Sequence, residues 1–357
     1  MAKKSGKVEK KRSVKTKKIN TGEVGKTESF ADAVDKKYGK GSMVRLGDID
    51  DEIKSISTGI LSLDAITGAD GIPLGRIIQI YGPESSGKTT LALHICAAAD
   101  KANMDVAIID AECSLKAKYA KRLGISSRVF ISKPQTGEKA IGIIDSLLKK
   151  GFSGVIVLDS VARLTPAAEE NGDVGDSHMG LLARLMGQGL RKILWHVSQS
   201  DSVIIFINQN RVNIGSLFYS ENRTGGKALQ YFISLDFEVK RIGKYQIGAE
   251  GAELGNKVKI SVKKNKVGAP NKSTILDLVF NEGFSRLNDI VDISVEAGYI
   301  EQAGSWYSYG DERIGQGRQN TLEYIENNPE ILKSLEARVK EYLGTKDFKT
   351  RGSNEEV

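Results

Sequence analysis

The chain has 357 residues, 40% of them apolar and 27% charged, enough for one large domain and a smaller one, each with its own core. No run approaches the roughly 18–20 apolar residues of a membrane span, the Lys-rich start has no apolar stretch behind it to make a secretory signal, and two cysteines with three histidines argue against a disulfide scaffold or a His-based metal site and for a reduced, cytoplasmic setting. The net charge of +7 is local: residues 1–18, MAKKSGKVEKKRSVKTKK, hold eight Lys and one Arg against one Glu, and the remainder is close to neutral.

In chain order, residues 1–28 have too little apolar content to pack and are expected to be a disordered basic tail. Such a tail reads either as a solubilising arm or as a nonspecific phosphate-contacting arm. Residues 29–38 predict a short amphipathic helix stopped by Gly39, within a segment running to residue 52. SISTGILSLDAITGADGIPLG is a Gly-punctuated connection into the strand RIIQIY. A helix starts near Lys88. Then DVAIIDAE, RVFISKP, GVIVLDS and SVIIFINQN read as strands, separated by the helices LKAKYAKRLG, TGEKAIGIIDSLLKKG and MGLLARLMGQGLRKILWHVSQS. Apolar strands alternating with helices predict βαβ units, hence an α/β fold with a mostly parallel twisted sheet flanked by helices. From about Ser234 three strands with short connections predict antiparallel additions. The expected core is 53–283, followed by a smaller α+β region at 284–344 and a disordered tail at 345–357.

Gly82, Pro83, Glu84, Ser85, Ser86, Gly87, Lys88, Thr89 and Thr90 spell GPESSGKTT. The pattern G-x-x-x-x-G-K-T between a strand and a helix is a P-loop. Its glycines let backbone N–H groups turn inward on phosphate oxygens, and the helix N-terminus adds partial positive charge. Lys88 is expected at the β- and γ-phosphates of ATP and the Thr89 hydroxyl at Mg²⁺. Asp159 ends a strand of apolar residues, where a carboxylate would hold the other side of the Mg²⁺ shell. Glu112, just past another strand, is a candidate general base for the attacking water, or else a helix-capping carboxylate. Gln209 could bond the γ-phosphate and report its loss; Asn208 and Gln209 could equally be loop polar groups.

Beyond the P-loop, longer stretches carry a resemblance: KKYGKGSMVRLGD, ISTGILSLDAITGADGIPLGRI, VIVLDSVARLTP, GDVGDSHMGLLARLMGQGLRK, FINQNRVNIGSLF, TGGKALQYF, KNKVGAP and AGSWYSYGDERIGQG. Over residues 29 to about 343 the chain resembles the bacterial-type RecA recombinases. The resemblance implies a DNA-dependent ATPase that forms helical homo-oligomeric filaments on single-stranded DNA, pairs it with duplex DNA and exchanges strands in recombination and repair, including the SOS response, with a self-cleaving repressor as a further class of partner and no membrane. It implies that segment 29–52 serves oligomerisation, that Gln209 senses the γ-phosphate, that Tyr119 stacks on adenine, and that Lys264 and Lys266 reach the ATP of the adjacent subunit. Read alone, Tyr119 is equally a core aromatic and the two lysines a solvated strand end. Segments 169–180 and 210–226 resemble the DNA-binding loops. There Arg184, Arg191, Arg211 and the amides of Gly225 and Gly226 would meet phosphates, while Met179 and Ile214 would wedge between bases, a sequence-neutral way to hold a single strand.

The sequence departs from that family in places. Cys113 follows Glu112 where relatives have His, and Lys116 stands where they have an Asp at the adenine edge. Tyr231 replaces a Phe at a subunit-coupling position, the second loop is one residue shorter, and the long acidic C-terminal tail is missing. Arg313 and Arg318 suggest a duplex-capturing patch in the region 284–344. Two other readings share the P-loop. A ring helicase or regulatory ATPase of the same core type would lack YGKGSMVRLGD and DSHMG. A non-hydrolysing DNA-binding paralogue would not need Lys88, Thr89, Glu112 and Asp159 together.

Overall fold

The computed structural model describes residues 24–48, 52–173, 180–212, 221–246 and 252–344. The C-terminal tail, most of the basic tail, and much of both Gly-rich loops with Met179 and Ile214 lie outside these residues. The chain divides into two compact units, one to Glu52 and one from Ile53. In the first, α1 (Val24–Tyr38) starts five residues before the expected Ser29, so part of the segment expected to be disordered is helical. Gly39, at φ +106°, ends it. The Asp35 carboxylate then accepts the N–H groups of Gly41 (2.9 Å), Ser42 (3.0 Å) and Met43 (3.3 Å), bonds that hold its carboxyl below the usual range. Phe30, Met43, Val44 and Leu46 stay exposed.

The second unit opens with β1 (Ser55–Ile56), α2 (Leu61–Thr67) and β2 (Ile72–Pro73). The helix α2 sits inside the stretch read as a Gly-punctuated connection; Gly68, at φ +74°, closes it. The alternating part comprises β3 (Arg76–Gly82), α3 (Lys88–Lys101), β4 (Asp105–Asp110), α4 (Ala117–Arg122), β5 (Phe130–Ser132), α5 (Gly137–Lys149), β6 (Gly154–Asp159), α6 (Ala167–Glu170), α7 (Leu181–Ser198) and β7 (Val203–Val212). There follow β8 (Glu221–Arg223), α8 (Lys227–Phe232), β9 (Leu235–Gln246), β10 (Glu253–Asn265), β11 (Ser273–Val279) and β12 (Gly283–Phe284). Last come α9 (Arg286–Glu296), β13 (Glu301–Ala303), β14 (Trp306–Tyr309), β15 (Glu312–Gln316), α10 (Arg318–Asn327) and α11 (Pro329–Leu343).

The large sheet runs β12-β11-β10-β9-β3-β7-β6-β4-β5, with β8 paired to β7. Strands β3, β7, β6, β4 and β5 are mutually parallel. Of the three later strands expected to be antiparallel, β9 instead lies parallel to β3; β10 and β11 are antiparallel. The central strands are buried on both faces, which is why they read as unbroken apolar runs. Ile78 and Ile80 pack with α2, α3 and α4 on one face, and Ile77 with α5, α7 and α8 on the other. A third cluster joins α9–α11 and the β13–β15 sheet to Leu61 of α2. Beside it the buried Asp289 carboxylate accepts the Ser62 N–H (3.1 Å) and hydroxyl (2.6 Å). No described helix is long and apolar enough to cross a membrane.

Candidate nucleotide site and neighbouring loops

The parallel strands deliver the site because their C-terminal ends share one edge. Gly82 at the end of β3 pairs in register with Gln209 on β7, and Asp110 on β4 with Asp159 on β6. Around these ends lies a cavity of about 420 Å³ lined by Glu84 to Thr90, Glu112, Ser114, Tyr119, Asp159, Ser160 and Gln209. The loop geometry has a cause in each residue. A Cβ on Gly82 would stand 2.1 Å from the Val239 carbonyl, and Gly87 at φ +102° starts α3 in the left-handed region.

Thr89 donates its hydroxyl to Asp159 Oδ2 at 2.8 Å, while Asp159 Oδ1 and the hydroxyls of Ser86 and Ser160 are buried with no protein partner. Burial, with Glu112 and Asp110 nearby, pushes the Asp159 carboxyl up to about 6 against the Thr89 bond. Lys88 is buried, which lowers its ammonium pKa despite Asp159, Glu112 and Glu84; its Nζ donates to the Pro83 carbonyl at 2.5 Å. Buried polar atoms without partners beside a buried cation are what a phosphate and its counter-cation would satisfy. Among the described residues no group of three or more His, Cys, Asp or Glu could hold a metal. A hydroxyl plus one carboxylate matches a cation that takes its remaining ligands from water and phosphate.

Glu112 is set by its surroundings. Its N–H donates to the Asp159 carbonyl at 3.0 Å, and the buried Asp110 carboxylate accepts the N–H groups of Ser114 (3.1 Å) and Leu115 (3.2 Å). Its side chain is not a helix cap: the N-cap of α4 is Lys116. The Gln209 N–H donates to Asn208 Oδ1 (2.8 Å), and Asn208 Nδ2 donates to the Thr224 carbonyl (2.9 Å). Both therefore lie on β7 rather than in a loop, and Asn208 ties down the return of the second Gly-rich segment. Tyr119 both lines the cavity and packs against the core, and its hydroxyl shares a hydrogen bond with Thr90 (3.0 Å).

Lys264 and Lys266 do not line this cavity. Their Nζ atoms donate to the carbonyls of Gln230 (2.5 Å) and Tyr231 (3.3 Å), and burial with the adjacent Lys266 lowers the Lys264 ammonium. The Tyr231 ring is exposed. Arg184 and Arg191 are exposed on α7, and Arg211 belongs to β7. A Cβ on Gly226 would stand 2.9 Å from Ala183 Cβ, and one on Gly225 3.0 Å from Val161 Cγ1 and 3.4 Å from Met186 Cγ. Thus the start of α7, the Gly225–Gly226 pair and the turn Val161–Arg163 meet.

Arg318 is not part of a surface patch. Its guanidinium is largely buried, donating to Asp292 and to Asp277 Oδ2 (3.1 Å). Arg313 is exposed, with its guanidinium 5.0 Å over the Trp306 ring. Sequence reasoning also passed over the opposite wall of the cavity, Asn256, Leu278, Val279, Phe280 and Asn281. Asn256 Oδ1 is buried there without a partner. A single polar residue breaking the alternation of β10 was the available signal.

A P-loop leaving β3, with carboxylates at the ends of β6 and β4 on the same sheet edge, defines a nucleotide-hydrolysing α/β protein. The RecA N-terminal domain family matches residues 26–285, and the RecA C-terminal domain family residues 288–344. Protein RecA of Syntrophus aciditrophicus (strain SB) is 45% identical over 317 residues, 88% of this chain and 92% of that protein. Protein RecA of Legionella pneumophila (strain Corby) is 44% identical over 327 residues, 90% and 93% of the two chains. A crystal structure of the RadB recombinase covers 64% of this chain and 98% of its own at TM-score 0.48 and 23% identity. The chain belongs to the RecA family, and with it shares recombinase function in homologous recombination and repair, DNA-dependent ATPase activity and nucleotide binding.

Proposed function

We propose that the nucleotide is ATP with Mg²⁺ and that its hydrolysis governs a filament on single-stranded DNA that takes up duplex DNA and exchanges strands. The observation that carries this reading is the convergence of Lys88, Thr89, Asp159, Glu112 and Gln209 on one cavity. Backbone N–H groups of the P-loop cradle the phosphates. Thr89 and Asp159 would hold Mg²⁺, which would supply positive charge against the phosphates. Lys88 exchanges its Pro83 partner for phosphate oxygen. Glu112 takes the proton of the water that attacks the γ-phosphorus, and the bond to the ADP oxygen breaks. Gln209 bonds the γ-phosphate, and through β7 its loss reaches residues 210–226. Tyr119 stacks on the base.

Lys264 and Lys266, turned away from their own cavity, suit the nucleotide of a neighbouring copy, where cations stabilise the charge of phosphoryl transfer. Assembly is further supported by β5, whose outer edge pairs with no described strand and exposes Phe130 and Ile131, and by the exposed apolar residues of segment 29–52. We assign 53–283 to the ATPase core, 284–344 with Arg313 to duplex capture, and Arg184, Arg191, Arg211, Gly225 and Gly226 to the single strand.

The test is ATP turnover with and without single-stranded DNA, for the natural chain and Glu112→Gln. Single-stranded DNA should raise turnover more than duplex DNA does, and the variant should bind nucleotide yet scarcely turn over. Equal rates with and without DNA, or undiminished turnover in the variant, would refute the assignment.

A further inference from the structure

One cation near the cavity belongs to none of the roles above. Arg163 ends the turn Val161–Arg163 that follows β6, and its Nε lies 3.8 Å from Glu112 Oε1. Glu112 lines the nucleotide cavity and Arg163 does not. The guanidinium therefore reaches the carboxylate from outside the cavity lining, to which Lys88 and Asp159, the other charged groups that act on Glu112, belong.

The turn is held at both ends. The Arg163 N–H donates to the Ser160 carbonyl (3.1 Å), next to the Mg²⁺ candidate Asp159. Beyond the turn, Thr165 accepts the Gly137 N–H (2.8 Å) and the Ala167 N–H donates to Glu138 Oε2 (2.8 Å), both at the start of α5. In the middle, Val161 is buried against the place where Gly225 and Met186 meet, and Gly226 lies against Ala183 beside Arg184. Whatever seats against Gly225, Gly226 and the start of α7 presses on this turn. An ion pair already 3.8 Å long, on an arginine side chain 63% exposed, breaks with a small displacement.

We propose that Arg163 is a positioning residue for hydrolysis: it holds the Glu112 carboxylate on the outer side of the cavity, and a single strand bound against Gly225, Gly226 and the start of α7 shifts the Val161–Arg163 turn and frees it. The proposal rests on Glu112 being the base. It makes Arg163 a brake on DNA-free turnover. A guanidinium on the carboxylate occupies the lone pairs that must accept the water's proton, so a base released from it works faster. Partly exposed pairs of this kind contribute modestly, which sets the size of the brake at roughly two- to five-fold in rate.

The experiment measures steady-state ATP turnover and nucleotide affinity of the full chain, with and without saturating single-stranded DNA, for the natural protein, Arg163→Ala, Arg163→Lys and Glu112→Gln. Arg163→Ala should raise the DNA-free rate roughly two- to five-fold and leave the DNA-saturated rate and nucleotide affinity unchanged, so that stimulation by DNA shrinks. Arg163→Lys, which keeps the charge, should fall between the natural protein and the alanine variant. A DNA-free rate in Arg163→Ala that is unchanged or lower overturns the proposal, as does an equal rise with and without DNA. If Glu112→Gln still turns over, it is the base assignment that has failed; if that variant is inactive and Arg163→Ala shows no rise, the brake alone is wrong.

Discussion

Protonation of His94 should loosen the junction between the P-loop helix and the strand that leads into the C-terminal residues. His94 lies on α3, where its Nε2 accepts the Phe284 N–H at 2.8 Å, and its ring meets the Phe284 ring edge-on at a centroid distance of 5.6 Å. Gly283, at φ +90°, has no room for a side chain: a Cβ there would stand 2.2 Å from Nε2. The acceptor nitrogen must be bare, so the native ring is neutral with its proton on Nδ1. Burial pushes its pKa down to about 4. Below about pH 6.5 the unfolded chain then binds a proton that the folded chain refuses. Stability from this group is complete above pH 6.5 and is lost as pH falls toward 4, at about 1.4 kcal/mol per pH unit, hence about 3 kcal/mol at most. The ring keeps some contact with solvent, so the realised loss sits below that ceiling. Asp159, raised to about 6, acts with the opposite sign and is common to the natural protein and a His94 variant. Glutamine at 94 keeps an acceptor and does not titrate. Urea unfolding followed by Trp195 and Trp306 fluorescence should show the natural protein losing about 2 kcal/mol more than His94→Gln between pH 7.5 and 5. Parallel stability curves for the two would refute the argument.

Asn256→Leu should raise the KM for ATP roughly three- to tenfold with kcat nearly unchanged, because a donor on the ligand loses the buried Oδ1 acceptor, which touches no reacting atom; steady-state kinetics showing an unmoved KM would remove Asn256 from the site. Asp289→Ala should destabilise the protein by about 2–3 kcal/mol, since Ser62 loses two bonds to a buried carboxylate, and a denaturation midpoint that hardly moves would count against it. Deleting residues 1–18 should flatten the slope of log DNA affinity against log salt and leave DNA-free turnover intact; titrations with the same slope for both proteins would make the segment a solubility arm.

The P-loop was legible because its demands are contiguous: two glycines, a lysine and a hydroxyl within nine residues, between strand and helix. Asp159 was legible because a strand buried on both faces reads as an unbroken apolar run, so the first polar residue marks the sheet edge where ligands lie; on β7 that residue is Asn208, and it was the resemblance that singled out Gln209 beside it. The opposite wall of the cavity was not. Its one signal is Asn256, a polar residue breaking the alternation of β10; Leu278 on β11 and Phe280 just after it are apolar residues that nothing local distinguishes from their neighbours. Arg318 misled for a related reason: beside Arg313 it reads as a surface charge, and only the fold brings Asp277 and Asp292 around it. The helix α2 was hidden by flanking glycines that end it rather than forbid it. Arg163 carries no signal in the sequence, because its partner Glu112 belongs to a different strand connection.

The carboxylate of Asp289 and the backbone of Ser62 are separated by 227 positions in the chain. As the polypeptide leaves the ribosome, α2 emerges early, yet Leu61 belongs to the cluster built from residues 290–339. One side of that helix must wait, exposed, while the whole nucleotide-binding sheet is made. Domains made early commonly fold before later ones appear; here the early one keeps an apolar side uncovered until the last residues arrive. A chain cut between the two family matches, after residue 285, would leave Leu61 facing water and the Ser62 N–H without its acceptor. The C-terminal piece would lack the helix that completes its core. The two pieces made separately should therefore be poorly soluble alone and should recombine when expressed together.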